Sequence, residues 1–310
     1  MNQPTSTSQP PVANRGWTVT FSGLGINLAL GILYTWSMFK GAIEKEFGWK
    51  GDQLNDPYAL CCLVFAFAMI VAGRCQDKFG PRLTASIGGL LVGIGFVLCS
   101  TTTSYGIWLL GFGVLAGTGI GFGYSSATPP ALKWFPPSKT GMIAGLVVAG
   151  FGLAPVYLAP TSQYLLGHIG VQSSMFVFGI SFLVLIVGIK PFALILWGGL
   201  SQFLVNPPSN YVAEAQSITT EVMPPKAVAA SATPGEILRQ PTFWLLWVIY
   251  FIGSGAGLMV IGSISGMAKK SMGTAAFIAV AIMAIGNAGG RILAGTLSAD
   301  PYTHLRGFLG

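Results

Sequence analysis

Eight stretches of this chain are long and apolar enough to cross a lipid bilayer: residues 17–39, 57–73, 83–101, 106–128, 141–160, 174–205, 243–266 and 274–296. A helix spanning the hydrocarbon core needs about 20 mostly apolar residues. Strands crossing an outer membrane would be shorter and would alternate in polarity, which these runs do not. With no water in the bilayer core, each run must satisfy its own backbone groups, so each is expected to be helical. Composition closes the soluble alternative. Only 8% of the residues are charged, against about 25% in soluble domains. The 52% hydrophobic content equally excludes disorder. The expected fold class is an all-α integral membrane helix bundle.

Residues 1–16 are rich in Ser, Thr, Pro and Gln and read as a flexible tail. No basic residue precedes Arg15 and no small-residue cleavage site follows the first run, so a signal peptide is not expected. Residues 17–205 read as a group of six helices. Its last run is too long for one crossing and is broken at Lys190-Pro191. One span near 172–189 and an irregular, partly interfacial segment at 192–205 are expected. Residues 206–242 form a polar linker with Pro207-Pro208 and Pro224-Pro225, ending in a short interfacial helix from Glu236 to Gln240. Two more helices follow within 243–296, and then a tail at 297–310.

Lys and Arg in the loops set orientation. With Lys190 and Arg291 left out, nine lie on the side of the N-terminus and five on the other. This places the N-terminus, and both ends of the six-helix group, in the cytoplasm of a plasma-membrane protein. The net charge of +7 is scattered singly and in small groups, so a nucleic-acid partner is not expected. Cys61, Cys62, Cys75 and Cys99 sit in or beside apolar runs. Their spacing fits no zinc or haem pattern, so packed thiols are expected and neither a metal nor a cofactor. His168, in a short outer loop, and His304, in the tail, have no partners for a metal or a triad. No span holds an acid, a His pair or a nucleophile–base couple, so an enzyme is not expected.

Three patterns carry more specific information. Between spans 2 and 3, Asp77 stands among Arg74, Lys78 and Arg82 in a turn bounded by Gly73 and Gly80. This is either a charged loop that pins topology or an ion-pair latch whose bases reach a neighbouring helix. Span 4 carries Gly111, Gly113, Gly117, Gly119, Gly121 and Gly123, and span 5 carries Gly141, Gly145, Gly150 and Gly152. Such small residues let helices approach closely, and no strand–helix unit surrounds them to make a nucleotide loop.

The third pattern is Arg291, inside the eighth run. A charge at depth is costly and by default marks a pathway or binding site. The alternative is that the side chain snorkels to the headgroups. All nine acids lie outside the confident spans, so Arg291 has no evident intramembrane carboxylate partner. An unpaired guanidinium facing a cavity binds carboxylates through its planar fork. In span 1, Asn27, Gly31 and Tyr34 share a helix face by their spacing, with Leu28 adjacent. Tyr34 and Tyr124 could each donate to a carboxylate, or could belong to an interfacial aromatic belt.

The glycine–acid–base turn at Gly73, Asp77, Lys78, Gly80 and Arg82, in a six-helix group followed by a long polar loop, resembles the signature loop of the major facilitator superfamily. Further stretches resemble its monocarboxylate porter and oxalate–formate antiporter branch. They are Gly31-Ile32-Leu33-Tyr34-Thr35-Trp36-Ser37 with Phe47-Gly48-Trp49, Gly119 to Tyr124 with Lys133-Trp134-Phe135-Pro136, and Gly286-Asn287 through Gly290-Arg291. The similarity is greatest to bacterial proton-coupled L-lactate transporters. It implies a twelve-helix fold of two halves, of which the first half and two helices of the second are here. The chain is thus expected to be truncated after the eighth helix, by a shifted reading frame or otherwise. The resemblance also implies alternating access and a Gly73–Arg82 turn that steadies one conformation. Arg291 becomes the carboxylate-binding arginine, with Asn287, Tyr34, Asn27, Leu28, Gly31 and Tyr124 around it. The implied partners are a small monocarboxylate anion and a proton, with the protein acting as a monomer. Animal members carry an aspartate at the place of Asn287, so proton coupling cannot be assigned to that position. Exchange of the oxalate/formate type, or a non-transporting fragment, are the alternative functions.

Overall fold

The computed structural model describes residues 13–188, 199–208, 211 and 234–298. Their elements are α1 (Gly16–Phe47), α2 (Asp56–Phe79), α3 (Pro81–Ser100), α4 (Tyr105–Leu132), α5 (Thr140–Ile186), α6 (Pro234–Leu238), α7 (Pro241–Met272) and α8 (Ala276–Ser298). Every element among the described residues is helical. All but the short α6 are long and apolar enough to cross a membrane. The expectations for Lys190-Pro191, the two chain ends and most of the linker fall outside the described residues.

The helices run past the apolar stretches that announced them, because the bilayer limits apolarity and not helicity. α1 continues through Lys40, Glu44, Lys45 and Glu46 to Gly48, whose left-handed φ of 72° ends it. The expected loop at 73–82 is almost all helix. Gly73, Arg74, Asp77 and Lys78 lie in the last turns of α2, and Gly80 (φ 87°) alone makes the turn. Pro81, whose missing N–H costs nothing at a helix start, then opens α3.

The expected outer loop between spans 5 and 6 is reduced to a tight turn: the two limbs of α5 are separate helices that meet at Gly170, whose φ 74°, ψ 178° is not helical. His168 thus lies in a helical turn, stacked on Tyr164 at 4.2 Å with its Nδ1 2.8 Å from the Tyr164 carbonyl. The second limb of α5 begins at a carboxylate: the Val171 N–H donates to Glu46 Oε2 at 2.9 Å. An anion at a helix N-terminus satisfies an orphan donor and complements the dipole. Counting its two limbs separately and leaving out the short α6, the described residues hold eight helices, as many as the apolar runs. The sixth run does not stay helical to residue 205, since α5 ends at Ile186 and Gly188 turns with φ 77°.

α4 and α5 form the middle of the bundle. α1 packs on both, α3 on α4 and the second limb of α5, and α2 on α4. The glycines of α4 set these distances. A Cβ on Gly119 would lie 2.6 Å from the Gly88 carbonyl, and one on Gly88 would lie 2.6 Å from the Gly123 nitrogen. Backbone therefore meets backbone where α3 crosses α4. Cys61 and Cys99 are buried in the same layers and all four cysteines are free.

After α5, residues 199–208 return against the bundle end that holds the start of α1. Leu200 covers Gly25, Ser86 Oγ donates to Ser201 Oγ at 3.0 Å, and Trp134 Nε1 donates to the Val205 carbonyl at 2.8 Å. α8 lies along the first limb of α5, and α7 lies against α8 and the far half of α1.

Candidate functional site

The site grows from a local defect in α1. Residues Gly31–Thr35 wind as a 3₁₀ turn inside the α-helix. Two features of α5 lie beside this stretch. Pro155 has no N–H for the Phe151 carbonyl one turn before it. That carbonyl points at Gly31 so closely that a Cβ there would meet it at 2.5 Å. Glycine at 31 lets α1 and α5 touch, and the tight turn that follows presents Tyr34 edge-on to the Phe151 ring at 4.8 Å.

Tyr124 of α4 meets Phe151 edge-on at 5.4 Å, and Phe65 of α2 packs on Tyr124 at 5.6 Å and on Phe151 at 6.1 Å. The two tyrosines thus stand with their hydroxyls on one side of an aromatic floor centred on Phe151, which is 1% exposed. Facing them is Arg291. Its Nε donates to Asn287 Oδ1 at 2.8 Å, Nη2 to the Tyr34 hydroxyl at 3.1 Å and Nη1 to the Tyr124 hydroxyl at a long 3.5 Å.

α8 reaches this position because α5 offers it no side chains. Gly145 passes the Arg291 carbonyl, where a Cβ would lie at 2.7 Å, and Gly152 leaves room for Asn287 Oδ1, at 2.6 Å. Gly295 crosses Gly141 in the same way further along. Any larger residue at 145 or 152 would push the guanidinium away from the tyrosines.

The chemistry of this cluster is one-sided. Among the described residues, all three hydrogen-bond partners of Arg291 are neutral. A buried cation without a counterion is expensive. Each tyrosine oxygen accepts from Arg291 and keeps its own proton to donate. The Asn287 carbonyl is used by Nε. Unused N–H groups remain on both terminal nitrogens of the guanidinium. The cluster therefore offers donors and positive charge, the complement of a small anion, and Asn287 adds no titratable acid.

The structure brings together Arg291, Asn287, Tyr34 and Tyr124. It does not bring the other expected residues to the guanidinium. The Asn27 amide donates to the Val147 carbonyl at 2.8 Å, fully buried between α1 and α5, and its Oδ1 has no partner among the described residues. Gly31 is the contact with α5, and the Leu28 carbonyl accepts from the Tyr157 hydroxyl at 3.0 Å. Asn27, Gly31 and Tyr34 do share a face, as their spacing requires. That face is packed on α5 along most of its length, and only Tyr34 reaches Arg291. Phe151 and Phe65 were not singled out from the sequence. Gly152 was, as a small residue for helix packing two helical turns from Gly145, but not as part of the site.

Around the signature turn, Arg74, Asp77, Lys78 and Arg82 are all exposed. Among the described residues they close no ion pair, and Lys78 instead lies over the Phe79 ring at 5.3 Å.

Comparison with known proteins gives the same direction. The model of the Major Facilitator Superfamily matches residues 17–309. An uncharacterized MFS-type transporter of Escherichia coli, YhjX, is 28% identical over 91% of this chain and 66% of its own length. The oxalate:formate antiporter of Oxalobacter formigenes is 28% identical over 96% of this chain and 67% of its own. Monocarboxylate transporter 13 of Bos taurus is 27% identical over 52% of this chain and 38% of its own. The chain spans about two thirds of the length of the first two.

Proposed function

We propose that this chain, which belongs to the Major Facilitator Superfamily of membrane transporters, carries small monocarboxylate anions by alternating access, with L-lactate and a proton as its cargo. The observation that carries the reading is the Arg291 guanidinium, held at depth by neutral partners and flanked by two tyrosine hydroxyls free to donate. A carboxylate entering there would supply the missing countercharge. The fit of such a site between the first six helices and the helices that follow is the arrangement expected of carriers built from two halves. In this reading the start of α1 is cytoplasmic in the plasma membrane, following the bias of basic loops, and the protein acts as a monomer. The exposed Gly73–Arg82 turn serves as a latch in a conformation other than the one described. Asn287 cannot titrate, so in this reading the proton is carried by a group other than the one at that position.

A relative matched over 96% of this chain, an oxalate:formate antiporter, supports a second reading, exchange of one anion for another. A dicarboxylate needs a second cationic partner, and the described cluster contains a single guanidinium.

The test is radiolabelled lactate binding and vesicle uptake for Arg291→Lys and Arg291→Ala. Lysine keeps the charge but not the planar fork. Losing a charge-assisted hydrogen bond costs roughly 1.5–3 kcal/mol, about ten- to a hundred-fold in affinity. Arg291→Ala is expected to bind more weakly still. Unchanged lactate affinity in Arg291→Ala would remove the site. Faster lactate uptake with oxalate or formate loaded inside, and none without, would favour exchange.

A further inference from the structure

A cavity of about 490 Å³ opens between α1 and α7, at the end of the bundle away from the start of α1. It is separate from the Arg291 cluster. Its charged lining is Lys40 and Glu44 from α1 and Lys269 and Lys270 from the end of α7. Three bases thus face one acid, and Glu44 closes no ion pair among the described residues. The Lys40 ammonium is placed by Asn55, to whose Oδ1 it donates at 2.7 Å. Lys269 leans across from α7 until its Nζ lies over Gly41, where a Cβ would be 3.1 Å away.

A second observation points to a ligand. Ser37 also lines the cavity, is 7% exposed, and its Oγ has no hydrogen-bond partner among the described residues. Most buried hydroxyls are satisfied, and one that is not needs an explanation. Ser37 stands three residues beyond Tyr34 on the same helix, close to the same face and roughly 5 Å further along the axis. An anion held by Ser37 and the lysines would sit one turn outward of the Tyr34–Arg291 pair.

We propose that this cavity is a second binding site for small carboxylate anions, an outer station occupied before the Arg291 site. The proposal rests on the transport reading and its orientation. Clefts of one charge sign raise the local concentration of the opposite ion and its rate of entry. Three ammonium groups draw the anion in, the Ser37 hydroxyl donates to it, and Glu44 limits how tightly it is held.

The experiment measures local charge and occupancy without requiring transport. Ser263, an exposed residue of the cavity wall, is replaced in Ser263→Cys. The thiol is then reacted with an anionic methanethiosulfonate (the ethylsulfonate) and its cationic trimethylammonium analogue, with the rate of the unaltered chain subtracted. The anionic reagent should gain about ten-fold relative to its ratio on a free thiol, and lose that gain in 1 M salt. Adding Lys269→Gln and Lys270→Gln should abolish it. Adding Lys45→Gln and Lys50→Gln, the same charge change outside the cavity lining, should leave it within two-fold. Millimolar lactate should slow modification several-fold, and equally with Arg291→Ala present. A ratio of the two reagents unchanged from that on a free thiol, or lactate protection that is missing or vanishes with Arg291→Ala, would overturn the outer site. Protection that survives while Arg291→Ala leaves overall lactate affinity unchanged would keep the outer site and remove the central one.

Discussion

An 18-residue stretch of α3 and one of α7 have the same mean hydropathy, 2.0, yet half of the first is buried in the protein and only 6% of the second. Apolarity therefore places both in lipid and says nothing about what they touch. The difference lies in how their glycines are met. Gly88, Gly89, Gly93 and Gly95 of α3 each press on a neighbouring helix, whereas Gly253, Gly255 and Gly257 of α7 have nothing within 4 Å. Lipid tails are as apolar as leucine, so a helix gains burial only where close packing and polar contacts exceed what lipid offers. α8 makes the same point from the other side. Its mean hydropathy is lower, 1.7, but it is held to α5 through Gly141, Gly145 and Gly152 and to α1 and α4 through Arg291.

The strongest way to break this contrast is a matched pair of glycine substitutions. Gly88→Leu forces a side chain against the α4 backbone, which cannot rotate away. We expect about 3 kcal/mol of destabilisation and early loss of the monodisperse peak on heating in detergent. Gly255→Leu should leave the melting profile unchanged. Equal effects would mean that hydropathy alone sets stability here.

Next in size is Asn287→Asp, which tests the polar tie of α8. An aspartate one turn from Arg291 would pair with the guanidinium at neutral pH and compete with the substrate anion. Its protonation in acid would release the guanidinium. Lactate binding should fall roughly ten-fold at neutral pH and recover, relative to the unaltered chain, only as the pH falls below about 4. A flat profile would show that Asn287 does not share the substrate's place on Arg291.

Smaller effects belong to the ends of the bundle. Glu46→Ala removes the carboxylate that caps the second limb of α5 and should cost about 1 kcal/mol, read as a lowered unfolding midpoint. Amide exchange should rise at Val171 and not in α4. Asp77→Asn is expected to change stability by less than about 0.5 kcal/mol, because the acid is exposed and unpaired among the described residues. A larger loss would mean that the latch is closed in the resting protein.

Most of the architecture was legible in the sequence because the bilayer imposes it. Eight long apolar runs left no alternative to helices. The ends were less legible, since Lys40 to Glu46 and Gly73 to Phe79 are helical for reasons of propensity and capping that apolarity does not register. Arg291 stood out by its cost, whereas Asn287 was named only through the resemblance to the monocarboxylate porter branch. Tyr34 and Tyr124 were visible as donors, but nothing local said they would face the same cation. That depends on Gly31, Pro155 and Phe151 setting the distance from α1 to α5, a fact about two helices at once. Asn27 illustrates the converse: its spacing placed it correctly on the face shared with Tyr34, but the face is closed by Val147 before it reaches the site.

The 3₁₀ turn at Gly31–Thr35 also makes α1 a shaft with a built-in torsion. The tighter wind advances each residue roughly 20° further and 0.5 Å longer than an α-helix does. Five such residues hold a twist of roughly 100° and an extension of roughly 2.5 Å. Relaxing them to α-geometry would withdraw the Tyr34 hydroxyl from Arg291 and, in the same stroke, turn Ser37 and Lys40 away from α7. The central cluster and the outer cavity lie along one shaft, so unwinding this one segment would empty both.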